Sequence, residues 1–188
     1  IAMTAATNKP RSCRRVHLVL AALSACGLAA LAWASFATPS TRVVYNPSNS
    51  VPLGWYRIEP GNSPADSLHV GSIVLARLPA EPAALAAQRG YLPPHIPLLK
   101  RVGAVAPQHV CIVNGVVRID GVPVAAVLRA DRLGRPLPFW QQCRALAEGE
   151  LLLLSVTNPA SFDSRYFGPI AASTVIGTAQ PIYLEKRP

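Results

Sequence analysis

Three short stretches of this 188-residue chain carry side chains suited to acyl-transfer chemistry. The first, NPSNSVPLGWY at residues 46–56, sets Ser48 and Ser50 two apart, with Pro52 and Gly54 following at once. A serine hydroxyl there could attack a carbonyl if a base removed its proton. Asn, Pro, Ser and Gly are also what an ordinary surface turn selects. The second stretch, IPLLKRVGAV, holds Lys100, which stands alone between Lys9 and Lys186. Read as a strand, it puts Leu98, Lys100 and Val102 on one face and Leu99 and Arg101 on the other. An ammonium among aliphatic neighbours loses hydration, and its pKa falls from ~10.4 towards the range of a general base. A lysine that snorkels to the surface would give the same pattern. The third stretch, SFDSRYFGPI, groups Ser161, Asp163 and Arg165 within five positions, ahead of two aromatics and a glycine. Taken alone it could be a salt-bridged turn.

Other reaction chemistries find no matching residues. There is no G-x-S-x-G elbow, and no HExxH, P-loop or dinucleotide fingerprint. His69, His95 and His109 are tied by no motif to an Asp and a Ser, so a Ser-His-Asp triad lacks support. Neither Cys111 nor Cys143 has a CxxC partner or a nearby paired histidine, so no zinc site is expected, and no cofactor is implied.

The elements that must position these residues begin with a membrane segment. From Val16 to Ala37 there is no Asp, Glu, Lys or Arg. As a helix this run spans roughly 33 Å, enough for a hydrocarbon core of ~30 Å, and Pro39 makes a natural stop. Lys9, Arg11, Arg14 and Arg15 precede it without an acidic residue, which keeps that flank in the cytoplasm and exports the chain beyond Thr38. A retained anchor is the favoured reading. A cleaved signal peptide competes with it, since Ala32-Trp33-Ala34 offers small residues at suitable spacing. The net charge is +9, but past residue 38 fourteen basic residues face nine acidic ones, scattered and with little aromatic interleaving. A nucleic-acid groove would cluster its cations among stacking rings, so that function is set aside.

Beyond the anchor, GWYRIEPG, HVGSIVLARLP, LLKRVGAVA, ELLLLSV and QPIYLE read as strands. PAEPAALAAQRG is the one helical segment, opening near Pro82 and closing at Gly90. YLPPHIP, with three prolines, is expected to be extended. HVCIVNGVVRIDGVPV is a hairpin unit, with Asn114-Gly115 and Asp120-Gly121 as its two turns. LGRPLPFWQQCRALAEG reads as loop. In an exported, oxidising compartment Cys111 and Cys143 are expected to form a disulfide, closing a loop of about 30 residues that stabilises by ~3–4 kcal/mol in the chain-entropy model. Cys13 and Cys26 fall in the N-terminal arm and membrane run as small apolar groups. The fold class expected is mainly β: an antiparallel β domain with one short helix, preceded by a single transmembrane helix.

In this order, behind an anchor, the three stretches resemble the signal peptidase I family of Ser/Lys-dyad proteases. LLKRVGAVAPQHV is similar to the family's lysine segment and SFDSRYFGPI to its late signature. The serine segment departs from the general pattern. Val51 follows Ser50 where ordinary members place Met, and Pro52 stands two residues on instead of three. This shorter S-x-P-x-G-x-Y form is similar to the TraF branch of conjugative-transfer peptidases, as is GRPLPFWQQCRALAEGE.

The resemblance implies Ser50 as nucleophile and Lys100 as general base. It implies Ser48 as an oxyanion donor beside the Ser50 backbone N–H, with Ser161 orienting the lysine amine and Asp163 and Arg165 shaping the wall. It also implies a signal-peptidase-like fold and a periplasmic location on the bacterial inner membrane. The division expected is a cytoplasmic basic arm (residues 1–15), a transmembrane signal-anchor (16–38) and a periplasmic peptidase domain (39–188), with a hairpin and loop insertion over about 109–146. The substrate implied is an exported pilin-like precursor, cleaved and, in the TraF branch, cyclised. A general preprotein signal peptidase and a non-catalytic scaffold of a conjugation or secretion channel are the alternatives.

Overall fold

The computed structural model describes residues 11–36, 42–60 and 68–185. The chain divides into two units, Ile1–Pro39 and Ser40–Pro188. Lys9 of the basic arm, the expected anchor boundary at residues 38–39, and Lys186 lie outside the described residues. The first unit contains helix α1 (Arg11–Phe36), in which Arg14–Trp33 is long and apolar enough to cross a membrane.

The second unit is built on antiparallel strands. A seven-stranded sheet combines β1 (Arg42–Asn46), β2 (Gly54–Pro60), β3 (Ile73–Ala76), β4 (Leu98–Val105), β9 (Glu150–Leu153), β10 (Ile170–Ala171) and β11 (Val175–Leu184). Its spatial order is β1-β2-β11-β3-β4-β9-β10, so the last strand inserts between the second and third. A four-stranded sheet has the order β7-β6-β5-β8, from β5 (His109–Val113), β6 (Val116–Ile119), β7 (Val122–Ala126) and β8 (Arg144–Ala145). Both two-residue turns of this sheet use positive φ at both positions: Asn114 at 52° and Gly115 at 72°, then Asp120 at 50° and Gly121 at 81°. That is the twist-matched turn which Asn-Gly and Asp-Gly sequences favour.

Helix α2 (Ala80–Gln88) occupies the predicted segment, and a one-turn helix α3 (Ser164–Phe167) follows Asp163. The three-proline stretch departs from its expectation: a turn forms at Pro94-His95, with His95 at φ 65°.

Strands β4 and β9 hold the two sheets together, and the four leucines Leu151–Leu154 are all buried. Leu151 and Leu153 pack with Val74, Leu98 and Val102, whereas Leu152 packs with Ala104, Val110 and Val117 of the smaller sheet's core. The change of partner falls at Gly103, where the β4–β9 register shifts. A Cβ on Gly103 would stand 2.8 Å from Leu154 Cβ. Only a residue without a side chain lets the strand bulge there and offer one half to each core. Lys100 lies in the half before the bulge, where the alternation read from sequence still holds.

Candidate active site

Strand β1 ends at Asn46, which pairs with Gly54 at the start of β2. Residues 47–53 form the loop between them. The Asn46 carboxamide organises it: Nδ2 donates to the carbonyls of Ser48 (2.8 Å), Val51 (3.1 Å) and Pro52 (3.0 Å), and Oδ1 accepts from Ser48 N (3.1 Å) and Ser48 Oγ (2.9 Å). Tyr56 Oη donates to the Pro52 carbonyl at 2.6 Å, and Val51 is buried against Tyr56, Leu75 and Leu99. Gly54 completes the support. Its φ is +142°, and a Cβ there would lie 2.1 Å from the Tyr183 carbonyl oxygen of β11. The loop therefore presents Ser50 from a braced frame. Ser50 is buried, with its Oγ 2.8 Å from Ser48 Oγ. Since the Ser48 hydroxyl is given to Asn46, Ser50 is the donor in that contact.

Lys100 lies on the interior strand β4, paired with Val74 of β3, and is only 4% exposed. Its Nζ donates to Ser161 Oγ at 2.5 Å. Burial lowers its pKa from 10.5 to about 8; Asp163 pulls the other way, and Arg165 adds to the lowering. The charges of Asp163 and Arg165 thus oppose each other at the lysine, and loss of hydration decides the direction.

These two residues make a fully buried, two-pronged ion pair: Arg165 Nε meets Asp163 Oδ1 at 2.7 Å and Nη2 meets Oδ2 at 2.9 Å. The remaining guanidinium protons go to the carbonyls of Ala126 (2.7 Å) and Ser155 (2.7 Å), with longer contacts to Pro159 (3.3 Å) and Asn158 (3.4 Å). Asp163 in turn accepts from Ser155 N at 3.0 Å and caps α3 through Arg165 N. The pair closes the loop of residues 155–163 into a rigid clasp that brings Ser161 to the lysine. Ser164 reinforces it by accepting from Leu153 N at 2.9 Å.

Ser48, Ser50, Lys100 and Ser161 line one cavity of about 950 Å³. The side-chain hydrogen bonds pair Ser50 with Ser48 and Lys100 with Ser161, and among the described residues no bond joins the two pairs. Aromatic rings form part of the wall: Phe162 stacks on Tyr166 at 5.8 Å and meets Tyr91 at 5.3 Å. Residues 128–137 continue the lining beside these rings, fastened where Tyr91 Oη donates to Asp131 (2.5 Å), Leu128 N donates to Tyr166 Oη (3.3 Å) and Arg135 pairs with Asp131 (2.6 Å). None of His69, His95 and His109 lines this cavity.

Cys111 and Cys143 are joined in a disulfide with a Cα–Cα distance of 4.2 Å. His109 lies beside it, but the thiolates that a thiophilic ion would need are consumed in the bond.

Asn46 is the residue that motif reasoning missed. Its only signal was an Asn directly before Pro47 and two before Ser48, which reads as turn chemistry. Ser155 was equally silent, and Ser164, though inside the late signature, was given no role; its partner Leu153 N lies in another element.

Residues 15–184 match the family described as signal peptidase, peptidase S26. The chain belongs to this family. Its relatives narrow the type. The probable conjugal transfer protein TraF of Sinorhizobium fredii is 36% identical over 173 residues, covering 83% of this chain and 87% of that protein. The conjugal transfer protein TraF of Agrobacterium fabrum is 36% identical over 151 residues, covering 73% and 80%. A plasmid transfer protein TraF of Escherichia coli is 40% identical over 88 residues, 45% of this chain; the chain spans about half (50%) of that relative's length. Within the S26 family the chain is of the TraF type. A signal peptidase I of Enterococcus faecalis, solved by crystallography, superposes on 58% of this chain and 94% of its own with a TM-score of 0.36 and 19% identity, too loosely to inform the site.

Proposed function

We propose that this chain is a membrane-anchored serine endopeptidase of conjugative transfer, working by a Ser50/Lys100 dyad on an exported pilin-like precursor. The observation that carries the reading is a buried lysine with its pKa lowered to about 8, in the same cavity as a braced serine hydroxyl. At pH 7 such an amine is neutral about a tenth of the time, against less than a thousandth for an ordinary lysine.

The steps follow from the groups at hand. Neutral Lys100 takes the Ser50 proton as Oγ attacks the scissile carbonyl, and the resulting ammonium returns that proton to the departing amine. The negative charge formed on the carbonyl oxygen meets the Ser50 backbone N–H and the Ser48 hydroxyl, which must turn from Asn46 to reach it. A donor of this kind typically contributes ~2.7–4 kcal/mol. Ser161 holds the lysine amine on one side and so directs its lone pair away from that contact. The acyl group on Ser50 then passes to water or to an amine; in the cyclising reaction the amine is the substrate's own N-terminus, whose tethering supplies effective concentration.

The apolar run of α1 serves as a retained anchor (residues 16–38). The basic arm (1–15) lies in the cytoplasm and the peptidase domain (39–188) in the periplasm, where the compartment favours the disulfide.

Mass spectrometry of a pilin precursor incubated with the full chain tests the reading. A trimmed product, or one lighter by a water for the ring, is expected from the wild type. Ser50→Ala and Lys100→Met should each slow its formation by at least about 10³-fold. Processing that survives either substitution would refute the dyad.

A further inference from the structure

Ser50 borders two cavities. The smaller, of about 380 Å³, lies across the serine loop from Lys100 and runs between Val51–Leu53 and residues 154–158. Asn49, Ser50 and Asn158 belong to both cavities. An extended peptide crossing Ser50 would therefore pass from one into the other between two asparagines.

The two differ in charge. Around the larger, Lys100, Arg89, Arg132 and Arg135 face a single carboxylate, Asp131, which is already paired with Arg135. The smaller is lined by Ser155, Thr157 and Asn158, with Glu185 as its one acidic residue and Arg101 as its one cation. Arg101 is committed to the Gly71 carbonyl at 2.6 Å, and no ion pair links it to Glu185 among the described residues. The Glu185 backbone N–H is fixed to the Leu53 carbonyl at 3.0 Å, and its Oε1 accepts from Tyr45 Oη at 2.8 Å. One carboxylate oxygen is thus held in place while the other is left to meet a ligand.

We propose that the smaller cavity is the acceptor site of the transfer reaction, and that Glu185 receives there the α-ammonium of a peptide N-terminus. The assignment rests on the acyl-transfer reading of Ser50. By microscopic reversibility, the amine that attacks an acyl-enzyme enters where the leaving amine departed. The larger cavity carries excess positive charge and repels a cation, whereas in the smaller one the charges of Arg101 and Glu185 balance and the Glu185 carboxylate offers a cation a local partner. Water would need no carboxylate.

The protons balance. The bound ammonium gives one proton through Glu185 to solvent, and the neutral amine attacks the Ser50 ester carbonyl. Lys100 then takes the second amine proton and delivers it to Ser50 Oγ as the C–O bond breaks. One amide bond forms, one ester bond is lost, and one proton is released.

The test uses the full chain in detergent, acetyl-Ala-Ala-Ala methyl thioester as acyl donor, and either glycinamide or hydroxylamine as acceptor near pH 7. Glycinamide is largely cationic at that pH and hydroxylamine is neutral. Products are quantified by mass. Glu185→Gln keeps an oxygen for Tyr45 and removes only the charge. It is expected to lower the amide-to-acid ratio for glycinamide about tenfold, the usual weight of a charge-assisted hydrogen bond. Donor consumption and the hydroxylamine ratio should not change, and Glu185→Asp should recover most of the glycinamide ratio. On the wild type, raising salt should depress the glycinamide ratio alone, a reading independent of any variant. A glycinamide ratio insensitive to both Glu185→Gln and salt, with donor still consumed, overturns the assignment. If no Ser50-dependent donor consumption occurs at all, the peptidase reading falls and this one with it.

Discussion

The loop that carries Ser50 is shaped by one neutral amide, whereas the wall that carries Lys100 is shaped by a buried pair of full charges. Asn46 holds its loop through ordinary hydrogen bonds, each worth about 1 kcal/mol net, so any one of them can be exchanged cheaply. Asp163 and Arg165 are buried and satisfied at nearly every proton and lone pair. Moving either would strand a charge without water. The two settings differ in what holds them: Lys100 sits against a wall fixed by charge, and the Ser50 loop is braced by neutral hydrogen bonds that can be exchanged one at a time. In the proposed reaction, Ser48 exchanges its Asn46 contact for the developing oxyanion without disturbing the lysine.

The contrast can be broken by substitution. Arg165→Ala should have the largest effect on stability, a loss of about 3–5 kcal/mol in thermal or denaturant unfolding, because Asp163 is left as an uncompensated buried charge. A loss below about 1 kcal/mol would mean that charge does not hold the wall. Lys100→Met should act in the opposite direction, stabilising the fold by roughly 2–3 kcal/mol at pH 7 while abolishing turnover. The sign comes from linkage. The folded pKa lies near 8 and the unfolded one near 10.5, so the unfolded chain holds the extra proton between those values. Wild-type stability then rises from pH 8 to 10.5, and the advantage of Lys100→Met should shrink across that window when melting is measured against pH. In the same sense, wild-type kcat/KM should climb through a midpoint near pH 8. A midpoint above 10 would mean that the amine is hydrated in solution.

Asn46→Ala sharpens the other half of the contrast. A cost of about 1–2 kcal/mol in stability is expected, with a proportionately greater loss in kcat as the serine loop loses its frame. Unchanged kcat would remove the amide from the account. The smallest effect belongs to Arg144→Ala. Its two-pronged ion pair with Glu150, at 2.6 and 2.9 Å, is only half-buried and far from Lys100 in the hydrogen-bond network, and about 1 kcal/mol should be lost with processing unaffected.

Much of the site was legible because its cues are local. A lysine alternating with Leu98 and Val102 left burial and snorkelling both open, and the structure shows burial; Asn114-Gly115 and Asp120-Gly121 fixed their turns. What could not be read is non-local. Strand β11 pairs with both β2 and β3, and no periodicity within QPIYLE says which neighbours it will choose. Strand β1, the five residues Arg42–Asn46, is too short and too close to the anchor to stand out as an element. Asn46 looked like turn chemistry because its partners are the backbone of the loop it precedes. His95 shows the limit of a rule on prolines: three of them forbid a helix, but they leave room for a turn.

The carbonyl of Ala126 has a consequence of its own. It belongs to the last residue of strand β7, in the smaller sheet, yet it accepts a hydrogen bond from Arg165 of the loop that holds Ser161 against the lysine. The small sheet is thus tied to the wall that holds Ser161 against Lys100 rather than being an ornament on the protein's rim. Changes in length at the two hairpin tips should pass unnoticed by Lys100, whereas deleting β7 would let water in beside it.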